Sequence, residues 1–155
     1  MNKTLIFKNL TEELTKNLQS ALQAAQNTYD IATHEDNKAE NKYDTRGLEA
    51  SYLAGAQAER VRDLKDTLSL ITTLKIKNFS EQEKIAHTAL IQVEFNQRTS
   101  WLLMLPKGGG QSFSYEEATI KVITPESPLG QLLLGKFAGD VVVLNNKEYE
   151  ISAVF

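Results

Sequence analysis

Two apolar seams of helical period, one on either side of a short polar interval, constrain this chain more than any other feature. From about Leu10 to His34 apolar and small residues recur at helical spacing, and a heptad threads Leu14, Leu18, Ala21, Ala25, Thr28 and Ala32. A second run, about Thr45 to Leu74, carries Ala50, Ala54, Gln57, Val61, Leu64, Leu68 and Ile71 on a matching seam. The interval between them, HEDNKAENKYD, is rich in Asp, Asn and Lys and suits a helix-reversing tip. The pattern predicts an antiparallel coiled-coil hairpin. Helices of about 25 to 30 residues, rising ~1.5 Å per residue, make it on the order of 40 Å long. Asn9 with Glu12 reads as a capping box at its start. The seam is Leu-rich near the base and Ala-rich near the tip. Small side chains there let the helices approach more closely, although alanine's helix propensity accounts for the same composition.

After Lys75 the period changes. KIKNFSEQEK reads as a linker or a first irregular strand, and a boundary near Asn78 divides the chain into an arm, residues 1–77, and a domain, residues 78–155. Beyond it, Thr88–Phe95, Thr99–Leu105, Ala118–Thr124, Asp140–Leu144 and Glu148–Val154 are short segments of β type. Asn145-Asn146 stands where a tight hairpin turn is needed. Ser127 is placed to cap, and Pro128 to open, one short helix through Leu134 that Gly135 stops. The expected fold class is therefore α+β: a helical hairpin, then a small antiparallel sheet with one helix.

Composition excludes several functions. The formal net charge of -3 argues against a general basic surface for duplex nucleic acid, so a nucleic-acid machine would be met through protein contacts. Without cysteine there is no disulfide framework, thiolate metal site or thiol nucleophile. His34 and His87 are too few and too far apart for a histidine metal cluster. No apolar run approaches the roughly 18 residues of a membrane span and no leader is evident, so the expectation is a soluble cytoplasmic protein without a membrane partner. The glycines of PKGGGQ, Pro106 to Gln111, lack the Gly-Lys-Ser/Thr and long helix of a phosphate loop, and a flexible hairpin loop is expected. Trp101 reads as core, and Leu129, Leu132, Leu133 and Phe137 as the packing side of the short helix and its following turn. Gly130 and Gly135 read as structural.

SPLGQLLLGKFAGDVVVL, Ser127 to Leu144, resembles the signature of the Gre family of bacterial transcript-cleavage factors: Ser-Pro, a short helix ending in Leu-x-Gly-Lys, then an Asp-Val-Val strand. EYEISAV, Glu148 to Val154, is similar to that family's last strand, and AERVRDLKDTL, Ala58 to Leu68, to its descending helix. The resemblance covers nearly the whole chain. It implies an FKBP-like C-terminal domain that docks at the rim of the RNA polymerase secondary channel, with Ser127, Pro128, Leu129, Gly130 and Lys136 as the partner-binding residues. It also implies a hairpin that threads the channel, carrying tip carboxylates that help hold a second Mg²⁺. A protein of this kind is a monomer and no enzyme by itself. It stimulates the polymerase's hydrolysis of its backtracked transcript, meets nascent RNA indirectly, and belongs among transcription elongation and DNA-binding proteins.

At the tip the chain departs from the family's Asp-x-x-Glu-Asn. Its nearest match, Asp36 to Asn41, has one residue more between the acids, whereas a gapless alignment of the descending helix puts Glu40 on the family Asp and Tyr43 on the family Glu, with Asp44 one step beyond. The resemblance makes Asp36, Glu40 and Asp44 the catalytic acids assisting polymerase, and Asp36 and Glu40 the ligands of the shared Mg²⁺, since hard cations take carboxylate oxygens. On a continuous helix the three acids would share one face. The plainer reading is that Asp36 and Glu40 solvate a turn, Asp44 caps the second helix and Glu35 pairs with Lys38. Tyr43 and Arg46 are candidate RNA or polymerase contacts. Arg60, Arg62 and Lys65 are candidates for a basic patch, though such charges usually decorate the outside of a coiled coil. Three alternatives stay open: a Gre-like factor that inhibits or retunes polymerase without cleavage, an FKBP-like isomerase or chaperone, and a self-associating coiled-coil adaptor.

Overall fold

A computed structural model describes residues 1–33 and 46–155. A helical hairpin comes first, α1 (Lys3–Thr33) and α2 (Arg46–Thr73), followed by six strands and one short helix. The chain divides into two compact units, one of Met1–Leu10 with Leu70–Phe155 and one of Thr11–Ser69.

Among the described residues of Thr11–Ser69 the buried positions are Leu14, Ala21, Val61, Leu64 and Thr67. The first four lie on the seams read from the sequence, at the 3- and 4-residue spacings that bring side chains to one helix face. Thr67 is the addition. A threonine scores as polar in any apolar pattern, yet its hydroxyl donates to the Asp63 carbonyl at 2.7 Å, which satisfies it inside the helix and leaves its methyl to pack. Along the Ala-rich stretch Ala25, Thr28, Ala50 and Ala54 are half-buried, while Leu22, Tyr29, Leu48 and Tyr52 are exposed.

The start of α1 corrects one expectation. The helix begins at Lys3, which puts Asn9 and Glu12 in its interior. Ile6, Phe7, Leu10 and Leu14 are all buried and extend the apolar stripe upstream at helical spacing. The terminal role falls to Asn2, whose Oδ1 accepts from the Leu5 N–H at 3.3 Å.

In the other unit the strands are β1 (Leu90–Phe95), β2 (Arg98–Met104), β3 (Ser112–Tyr115), β4 (Ala118–Ile123), β5 (Val141–Leu144) and β6 (Lys147–Val154), with α3 (Pro128–Leu133) between β4 and β5. They form one sheet in the order β3-β4-β2-β1-β6-β5. Four of its pairs are antiparallel, but β2 and β4 run parallel, so the sheet is mixed. The source of the parallel pair is β3, which sequence patterning passed over because Ser-Phe-Ser-Tyr is short and half serine. It pairs with β4 rather than β2, so Pro106–Gln111 is a crossover and not a hairpin loop. The two-residue turn at Asn145 and Asn146 behaves as its residues predict, with φ of 51° and 60°, and a second turn, which the sequence pattern did not mark, has φ of 49° and 59° at Asn96 and Gln97. Positive φ at both central residues matches the right-handed twist of the flanking strands.

One sheet face carries a core of Ile91, Val93, Leu102, Met104, Ile123, Val142, Ile151 and Val154, closed by Ile85 and by Leu133 of α3. On the opposite face Leu90, Leu103, Ile120 and Val122 are also buried, in the unit that contains buried Ile6, Phe7 and Leu10. Where both faces are covered, the segments Ala89–Ile91 and Trp101–Leu105 are apolar without alternation. Lys3 fastens the chain end here. It is only 6% exposed. Its Nζ donates to the Phe155 carbonyl at 2.9 Å and to the Lys77 carbonyl, and lies 4.9 Å from the Phe79 ring centroid. Burial, and secondarily the charge of Lys77, lower its pKa to about 8.

Candidate docking site

The segment from Thr124 to Asp140 is a shelf held by a cap and two turns. Ser127 accepts at Oγ from the Gly130 N–H at 3.1 Å and donates from Oγ to the Thr124 carbonyl at 2.7 Å. Pro128 follows where its missing N–H would have had no helical partner. Leu134 N–H donates to the Gly130 carbonyl at 2.9 Å, and Gly135, at φ +78°, turns the chain into the left-handed region that ends a helix. The exit is anchored by exchange with a neighbouring strand-like segment: Gly135 N–H donates to the Ile85 carbonyl at 2.9 Å, and Ile85 N–H to the Lys136 carbonyl at 2.8 Å. Asp140 Oδ2 accepts from the Phe137 N–H at 2.9 Å and closes the turn before β5.

These contacts divide the five residues assigned to partner binding. Gly130 is buried, and a Cβ there would sit 1.9 Å from the Thr124 carbonyl oxygen, so the position admits no side chain. Ser127 is occupied as the cap, and Leu129 is half-buried against the core. Pro128 and Lys136 are exposed. Sequence reasoning missed the rest of the exposed surface. Gln131 and Leu134 continue the stripe of Pro128 at three-residue spacing, Leu134 is 43% exposed and Phe137 36% exposed. Phe137 thus lies at the surface, with Lys84 Nζ 5.9 Å from its ring centroid, and is not a packing residue. A helix of under two turns has room for one buried edge, and Leu129, Leu132 and Leu133 occupy it. What remains is an apolar ledge of Pro128, Leu134 and Phe137 beside one cation, Lys136, a composition that suits a protein surface.

The tip acids Asp36, Glu40 and Asp44, with His34, Glu35, Lys38 and Tyr43, lie outside the described residues. Arg46 begins α2. Arg60, Arg62 and Lys65 are exposed on α2, interspersed with Glu59, Asp63 and Asp66, which makes a mixed rather than a basic face. Among the described residues no group of three or more His, Asp or Glu is placed to hold a metal ion. No described helix is long and apolar enough to cross a membrane.

A groove of about 620 Å³ runs beside α3, with Val93, Leu102, Leu129 and Tyr149 among its apolar walls and Ser100, Thr119 and Lys121 among its polar ones. Among the aromatics of this unit, Trp101 and Tyr149 line it. Phe113 and Tyr115 are buried, and Phe95 stacks on Tyr149 with centroids 5.2 Å apart.

No protein-family model and no curated protein matches the chain. Among solved structures, the crystal structure of GreA factor homolog 1 (Gfh1) of Thermus thermophilus matches at 21% identity over 94% of each chain, with a TM-score of 0.38. A structure described as the transcription factor Gfh1 matches at 20% identity over 95% of this chain and 94% of its own, with a TM-score of 0.39. Thermus aquaticus Gfh1 matches at 19% identity over 92% of each, with a TM-score of 0.37.

Proposed function

We propose that this chain regulates transcription elongation by binding bacterial RNA polymerase, docking through the α3 ledge and sending its helical hairpin into the secondary channel. The observation that carries the reading is the Ser127–Leu144 segment. The residues that resemble the Gre signature are the ones whose caps and turns hold Pro128, Leu134, Lys136 and Phe137 outward. In this reading Asp36 and Glu40 would add hard oxygen ligands to the polymerase's own acids around a Mg²⁺, which supplies charge stabilisation for hydrolysis of backtracked RNA, with Asp44 assisting. The chain itself would hydrolyse nothing.

The test adds the protein to purified, backtracked elongation complexes and follows the transcript 3′ end, with wild type beside Asp36→Ala and Glu40→Ala. Cutting by the wild type that both variants lose, with binding retained, supports the metal role. Binding without cutting by the wild type moves the function to the inhibitory version, in which the altered tip spacing occupies the channel without completing a site. Absence of any association with polymerase refutes the proposal.

A further inference from the structure

Strand β5 is a four-residue edge of the sheet, and its sequence, Val-Val-Val-Leu, carries neither proline nor charge. Val142 points into the core, whereas Val141 and Val143 are 53% and 56% exposed on the other face. The two-residue turn at Asn145-Asn146 makes Leu144↔Lys147 the closing pair of the hairpin. By the alternation of an antiparallel ladder, Val142↔Tyr149 is the next hydrogen-bonded pair, and the N–H and C=O of Val141 and Val143 face away from β6.

Beside the two valines the same face carries carboxylates. Val141 is in register with Glu150, Val143 with Glu148, and Glu150 in turn with Glu94 on β1. Glu94 directly opposite Glu150 is a like-charge cross-strand pair, an arrangement that opposes folding. These three acids and Val141, with Asn96 and Gln97, line a recess of about 370 Å³.

We propose that β5 is an acceptor edge for an extended segment of a partner protein in which basic and apolar residues alternate. Added as a seventh strand, the segment would lie ~4.8 Å from β5 and so roughly 9–10 Å from β6. Its apolar residues would continue the core face beyond Val142. Its Lys or Arg side chains, on the other face, would lay their methylene stems over Val141 and Val143 and bring their heads to Glu150 and Glu148. The single arrangement covers the apolar edge, satisfies the outward backbone groups and neutralises the repelling carboxylates. β5 follows directly on the turn that closes the α3 shelf, and the proposal does not rest on the transcription reading.

The probe is a labelled peptide of alternating Arg and Val, about eight residues long to span an ordinary strand, titrated into the full ¹⁵N-labelled chain. Amide shifts are expected to centre on Val141–Leu144, with affinity falling about tenfold in the double variant Glu148→Gln/Glu150→Gln, as for loss of paired charges. Val143→Pro, which removes an outward N–H at an edge position that tolerates proline, should abolish binding. A peptide methylated on alternate backbone nitrogens should also fail on the wild-type chain, which keeps the test independent of any variant's folding. Equal binding by the methylated peptide or by a Glu-Val counterpart, shifts centred elsewhere, or no binding overturns the proposal.

Discussion

Gly130→Ala is the substitution that most directly tests the account of the α3 shelf. The new methyl would stand 1.9 Å from the Thr124 carbonyl oxygen and 2.8 Å from Ser127 Oγ, the first of which no carbon occupies without displacement. Relief requires α3 to move by about an ångström or more, an overpacking cost of about 1–3 kcal/mol. That movement breaks the Ser127 cap, costing about 1 kcal/mol, and the Ser127–Thr124 hydrogen bond, about 1 kcal/mol more, while alanine's helix propensity returns about 1 kcal/mol. The net is a destabilisation of about 2–4 kcal/mol, or a urea midpoint lowered by about 1–2 M for a protein of this size. Trp101, the one tryptophan, is on β2 and reports the sheet unit by fluorescence. Gly55→Ala is the matched control. Gly55 lies inside α2 with nothing within 4 Å of an added Cβ, so the same chemical change there should increase helix stability by about 1 kcal/mol, read as helicity by circular dichroism. A Gly130→Ala chain whose unfolding free energy stays within about 0.5 kcal/mol of wild type would refute the reasoning.

Lys3 sets a pH dependence. Its folded pKa is lowered to about 8, so above that pH the unfolded chain holds the proton more tightly than the folded one, and stability should rise from about pH 8 toward the ordinary lysine pKa. The rise should vanish in Lys3→Met; equal slopes in the two proteins between those limits would remove the assignment. In the hairpin, Leu64 is 7% exposed, and Leu64→Ala should cost about 2–5 kcal/mol by transfer and cavity terms, checked by loss of thermal stability of the helical signal. A cost no greater than that of an exposed site such as Leu53→Ala would mean the seam is not packed.

The hairpin seams, the strands with alternating or continuous apolar residues, the Asn-Asn turn and the Ser127–Gly135 helix were legible in the amino-acid order because each depends on neighbours within a few residues. Spacing sets which face a side chain takes, a cap needs a hydroxyl at one position, and a turn needs residues that tolerate positive φ. Other features depend on what arrives from elsewhere in the chain. The α1 start was masked because Ile6, Phe7 and Leu10 reveal themselves as a stripe only once they are buried, and Thr67 because its polarity is cancelled by a backbone acceptor one turn away. The parallel β2–β4 pair and the place of β3 outside β4 come from long-range pairing, which no local pattern encodes. The same holds for the α3 ledge and the β5 edge. The sequence by itself determined which segments are helix or strand and where they cap and turn; only tertiary packing decided which of their apolar residues were left over for a partner, because a short helix and an edge strand can each bury just one side.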